Sequence, residues 1–177
     1  MTVTASHIDQ LRERLGSAAR DLRLNIQAVL RCENLNAAQT YGCALTSAWF
    51  IGADELAKAL LADAQAAGVD EASIDDAKAA ASLMSMNTVF YRFRHLVQKP
   101  GYEQRPARLR MSRMVKPATS KADFELFAMA AAVLAGCETC IRAHEASILK
   151  HGLGEEHVQD VVRIASVICG FATALRV

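Results

Sequence analysis

Four glycines set the frame of this chain. Gly52 and Gly136 lie 84 positions apart, and so do Gly68 and Gly152. Each closes a run whose apolar residues recur at helical spacing, where a glycine ends a helix by turning left-handed. The same offset lays Ala44, Ala48, Ala59 and Ala62 on Ala128, Ala132, Ala143 and Ala146. It also lays Glu71, Asp76 and Ser82 on Glu155, Asp160 and Ser166. Alanine matches are cheap in an alanine-rich chain; paired helix stops are not. The pattern predicts an all-α fold in which a three-helix unit is used twice, over about residues 37–92 and 121–176, within a single domain spanning 1–177.

Apolar periodicity places helices over 6–31, with Ser6 as N-cap and a break at Gly16-Ser17, then over 37–51, then over 55–67 behind Asp54 as its cap. A further helix opens at Ser73 and runs to Leu96, ended by Pro100-Gly101. The second half reads as helices over 121–135, 137–150 and 155–175. No stretch alternates with period two, so no sheet is expected. Between the halves, residues 98–120 hold all three prolines. They also hold Lys99, Arg105, Arg108, Arg110, Arg113 and Lys116 against one acid, Glu103. This linker reads as a solvated connection with a short helix near 107–114. Its other reading is a docking strip for an acidic partner or a subunit contact.

Composition narrows the function. Of the 177 residues 52% are apolar, enough for a sizeable core, and the net charge of +1 gives no electrostatic footprint for nucleic acid or a membrane surface. No apolar run reaches the roughly 18 residues of a membrane span, and no charged segment with an apolar stretch opens the chain. A cytoplasmic protein is expected. Five cysteines, an odd number in a large apolar chain, argue against an extracellular disulfide framework.

Cys137 and Cys140 form a CxxC, and His144 follows four residues later. On a helix these three share a face, with the thiols about 5–6 Å apart at Cβ, near enough for a disulfide in the first turn to be plausible. The positive end of the helix dipole and a neighbouring imidazole both favour thiolate. Glu125 interrupts an apolar stretch on the preceding helix. If the two helices pair antiparallel across Gly136, Glu125 passes near His144, where a carboxylate holds the imidazole's tautomer. In the first unit the matching positions are Ala53, Leu56, Leu60 and Tyr41, so that unit is scaffold.

Taken singly, these residues have plainer readings: Glu125 as a first-turn acid favoured by the dipole, His144 as a satisfied core histidine. Two thiolates, an imidazole and a carboxylate also suit zinc, although no second CxxC or HxxxH exists. A thioredoxin-type fold needs a strand before the CxxC, where Met129–Ala135 reads as helix. Cys32, Cys43 and Cys169 read as small core residues. Met84, Met86, Phe90, Tyr91 and Phe93 read as a core stripe, with Met86-Asn87 able to approach the site. His7, His95, His151 and His157 read as uninvolved.

The motif E-x11-C-x2-C-x3-H resembles that of the alkylhydroperoxidase D (AhpD) family, of the carboxymuconolactone decarboxylase-like superfamily. The stretches Met86–Arg92 and Lys121–Leu126 also resemble AhpD, and the likeness runs from about residue 20 to the end. The resemblance implies an all-helical, internally duplicated homotrimer that reduces organic hydroperoxides. It implies that Cys140 attacks the peroxide and becomes a sulfenic acid, and that Cys137 then closes a Cys137–Cys140 disulfide. His144 and Glu125 would relay the proton. No bound cofactor or metal is implied; electrons would come from a dihydrolipoamide-type dithiol on a lipoyl-bearing protein, with a link to the peroxiredoxin AhpC. The alternatives are a dithiol electron carrier with little peroxidase activity, or an enzyme like the carboxymuconolactone decarboxylases. Some AhpD members carry a histidine directly before the second cysteine, where this chain has Thr139. Activation of Cys137 then rests on its exposure and its place at a helix start.

Overall fold

A computed structural model describes residues 6–177. Among them all regular structure is helical, as expected: α1 (His7–Glu13), α2 (Arg20–Val29), α3 (Ala37–Phe50), α4 (Asp54–Ala66), α5 (Glu71–Val97), α6 (Pro100–Glu103), α7 (Ser112–Val115), α8 (Lys121–Ala135), α9 (Glu138–Lys150) and α10 (Glu155–Ala174). A 3-10 turn at Ser17–Ala19 makes the expected break before α2. No described helix is long and apolar enough to cross a membrane. The expectation that no leader opens the chain falls in part on residues 1–5, outside the described residues.

Local side chains start four of these helices. Ser6 Oγ accepts the Asp9 N–H, Asn36 and Gln39 form a capping box on α3, and Ser120 Oγ accepts the Asp123 N–H of α8. Two predicted starts shift. Asp70, not Ser73, caps α5 by accepting the Ser73 N–H at 2.7 Å. Asp54 is the first residue of α4 and not its cap, so it acts through the helix dipole. Gly52, Gly68, Gly136 and Gly152 all take positive φ, between 61° and 87°, as helix-ending glycines do.

The linker also differs from expectation. α5 stops at Val97, Gln98 turns left-handed, and Pro100 begins α6 where its missing N–H is harmless. In place of one helix near 107–114 there are two four-residue helices, α6 and α7.

The core forms around α8, which packs against α3, α5, α9 and α10. Every residue from Phe124 to Ala132 is buried, as expected for a helix apolar on all sides. Phe124, Phe127 and Met129 are fully buried there, each contributing about 1.5–3 kcal/mol by leaving water. α3 reaches α8 because Gly42 has no side chain; a Cβ there would overlap the Phe127 ring. Cys43 lies in this core, but Cys32 is half-buried and Cys169 is exposed on the outer face of α10. The stripe on α5 is likewise core only at Met84. Phe93 is 48% exposed, because α5 is about 40 Å long by helical rise and its last turns overhang the shorter α8.

Candidate active site

α8 ends at Gly136, and the chain turns directly into α9 with Cys137 at its N-cap. The Gly136 and Cys137 N–H groups close back on the Val133 and Ala132 carbonyls, and Arg92 of α5 donates to Ala135 O at 2.7 Å. The turn is thus fixed from both sides, and three of the orphan carbonyls of α8 are satisfied. Cys137 and Cys140 are joined by a disulfide, with their Cα atoms 5.3 Å apart.

The exposure expected of Cys137 is absent: the residue is 1% exposed and Cys140 is 6% exposed. Met84, Ala128, Ala131 and Ala132 pack around the pair. The small alanines of α8 let the turn fold flat against their helix, which covers the first sulfur more than the second.

One turn beyond Cys140, His144 meets Glu125. Nδ1 of the ring lies 2.6 Å from Glu125 Oε2, with both residues buried. The other carboxylate oxygen, Oε1, lies 2.6 Å from Lys121 Nζ, which also donates to Met114 O. Burial pushes the Glu125 carboxyl up, but the hydrogen bonds from His144 and Lys121 outweigh it and hold the group below its ordinary value. An ionised Glu125 takes the Nδ1 proton as its hydrogen bond. That leaves Nε2 of a neutral imidazole free to act as a base.

Lys121 is a member of the site that sequence reasoning did not single out. The available signal was its position four residues before Glu125, which puts both on one helix face.

Cys140 and His144 line a pocket of about 290 Å³. Its opposite wall is Met84, Asn87 and Tyr91 of α5 together with Met111 and Met114 of the linker. Asn87 therefore reaches the site as anticipated, and its neighbour Met86 does not line the pocket. The linker is more than a solvated connection. Arg113 is ion-paired to Asp75 at 2.8 Å and to Asp76 at 2.5 Å. Asp76, whose side chain is fully buried, also accepts the backbone N–H groups of Ala118 and Thr119 and the Thr119 hydroxyl. These bonds hold the methionines over the thiol. Nothing in the periodicity announced this, because the linker has no helical repeat to read.

The remaining histidines stay outside the pocket. His151 bonds Ser147 O at the end of α9, and His95 pairs at 3.3 Å with Glu138 on the outer face of that helix. Among the described residues no group of three or more His, Cys, Asp or Glu side chains is arranged to hold a metal ion. Once the disulfide is reduced, the arrangement favours a thiolate at Cys140 and leaves room for an apolar molecule beside it. The second sulfur, that of Cys137, is the one bonded to Cys140 here.

Comparison with known proteins shows what the chain is similar to. Residues 100–177 match the model of the carboxymuconolactone decarboxylase family. Over 170 residues the chain is 54% identical to the alkyl hydroperoxide reductase AhpD of Anaeromyxobacter sp. (strain Fw109-5), covering 96% of this chain and 91% of that one. It is 42% identical to the protein of the same name from Rhodospirillum centenum, over 95% of this chain and 90% of the relative. The AhpD of Methylobacterium sp. (strain 4-46) is also 42% identical, over 95% of each chain.

Proposed function

Because the chain belongs to the AhpD family, we propose that it is an antioxidant alkyl hydroperoxide reductase whose chemistry is carried by Cys140, Cys137, His144 and Glu125. The observation behind this reading is the order Glu125, His144, Cys140 on two adjoining helices, ending at an apolar pocket.

His144, polarised by Glu125, draws the proton from the Cys140 thiol. The thiolate attacks the terminal oxygen of a hydroperoxide. An S–O bond forms, the O–O bond breaks, and the leaving alkoxide takes the proton from the imidazolium. The products are an alcohol and a Cys140 sulfenic acid. The Cys137 thiol condenses with it, releasing water and giving the disulfide. An external dithiol then reduces that bond by two exchange steps and is itself oxidised to a disulfide. On this reading the unit over 121–176 is the working copy of a duplicated three-helix unit, and 37–92 supports it.

The reductant is a dihydrolipoamide-type dithiol on a partner protein, with the peroxiredoxin AhpC as the second partner. The assembly is a homotrimer in the cytoplasm. Val89, Phe93 and Leu96, spaced along one exposed face of α5, support a subunit contact.

The test is a thiol count on reduced protein before and after one equivalent of cumene hydroperoxide. Loss of two thiols, recovered with dihydrolipoamide, supports the proposal. An unchanged count rejects it.

A further inference from the structure

Asn87 of α5 lines the same pocket as the reactive cysteine. It lies between Met84 and Tyr91 at one-turn spacing, is 3% exposed, and lines the pocket that holds Cys140 and His144. Its Nδ2 makes one weak contact, 3.9 Å to the Met114 sulfur. Its Oδ1 is buried and has no hydrogen-bond partner. Among the described residues only one other buried side-chain atom, Arg12 Nε, shares that condition. Buried amide oxygens are almost always satisfied, because leaving one bare costs the fold stability. Its residue lines the pocket that Cys140 and His144 also line, whose remaining wall is largely methionine and tyrosine.

A hydroperoxide supplies what that oxygen lacks. Its O–H is a donor, and the oxygen carrying it is the atom a thiolate attacks. We propose that Asn87 Oδ1 accepts the hydrogen bond of the hydroperoxide O–H. This aims the terminal oxygen at the Cys140 sulfur while the organic group lies against Met84, Tyr91, Met111 and Met114.

Asn87 thus binds the substrate and exchanges no proton. The S–O bond still forms as the O–O bond breaks, and the alkoxide still takes its proton from His144. The bond to Asn87 holds the O–H end while the apolar wall holds the organic group, and together they direct the O–O bond so that the leaving oxygen points away from the sulfur. Reduction of the disulfide by a dithiol makes no use of this contact. The proposal rests on the peroxidase reading of the site and adds the group that recognises the substrate.

The experiment compares the wild type with Asn87→Leu, which keeps the shape and removes the acceptor, and with Asn87→Ser, which returns a smaller acceptor. Two half-reactions are followed in single turnovers: oxidation of the reduced protein by cumene hydroperoxide, and reduction of the disulfide by dithiothreitol. The Leu variant should be oxidised about tenfold more slowly, the scale of one lost hydrogen bond in a reacting complex. The Ser variant should recover part of that rate, and dithiothreitol should reduce all three proteins alike. Should the Leu variant fail to fold by circular dichroism, Asn87→Ala is read in its place with the same expectation. Oxidation of the variant at the wild-type rate overturns the role of Asn87 alone. An equal fall in both half-reactions does the same, since it marks a structural defect. A wild-type protein inert to cumene hydroperoxide overturns this proposal together with the peroxidase function.

Discussion

Glu125 Oε2 lies 2.6 Å from His144 Nδ1, and Lys121 Nζ lies 2.6 Å from the other oxygen of the same carboxylate. A buried acid in an otherwise apolar stretch of α8 is thereby kept ionised and aimed at one nitrogen of one imidazole. Glu125→Gln keeps the shape but removes the charge that holds the tautomer. Oxidation of Cys140 by cumene hydroperoxide should slow by about a hundredfold, within the usual range for general-base catalysis. Lys121→Met, which leaves Glu125 without its second partner, should give a smaller loss. Stopped-flow rates on the reduced variants check both.

Acid stability follows from two carboxylates. Burial raises Glu125 and Asp76, but hydrogen bonds to the ionised forms prevail, and both folded values fall below the ordinary ones. A group lowered on folding adds stability above its unfolded value, about 4 here, and loses it as pH drops through the folded value. The urea midpoint should therefore be level above about pH 5 and fall steadily below about pH 4. In Asp76→Asn part of that fall should disappear. Equilibrium unfolding across this range measures it.

Arg113 ties the linker to Asp75 and Asp76, and the linker carries Met111 and Met114 over the pocket. Arg113→Ala should loosen that wall without touching the thiols. The expected result is a several-fold higher KM for cumene hydroperoxide and little change for hydrogen peroxide, which needs no apolar wall. Steady-state kinetics with the two peroxides decide it.

Gly42 lies against the Phe127 ring, two residues along α8 from Glu125. Gly42→Ala forces the ring or helix α3 to move, at about 1–3 kcal/mol. Chemical denaturation should show that loss, and thermal unfolding should move down by several degrees.

The sequence carried most of the frame because glycine stops and helical spacing are local signals. Gly52, Gly68, Gly136 and Gly152 end their helices with positive φ, and the order of the long helices was readable from apolar spacing alone. The meeting of Glu125 with His144 was also within reach, since one tight turn leaves two adjoining helices little choice of pairing. Contacts made by the linker were not. Nothing in residues 98–120 says that Arg113 will find Asp76, or that two methionines will close a pocket. Burial was misjudged where it depends on tertiary overhang: Phe93 and Cys169 lie outside, and Cys137 lies inside. Ser73 reads as the start of α5 in the sequence, and only the observed bond shows that Asp70 caps it.

The most direct trial of the division of labour between the sulfurs is intact-mass analysis of reduced Cys140→Ser and Cys137→Ser after one equivalent of cumene hydroperoxide. Cys137→Ser should gain one oxygen at Cys140 and form no intramolecular disulfide, while Cys140→Ser should remain unmodified and turn over no peroxide. Full peroxide turnover by Cys140→Ser would contradict the assignment.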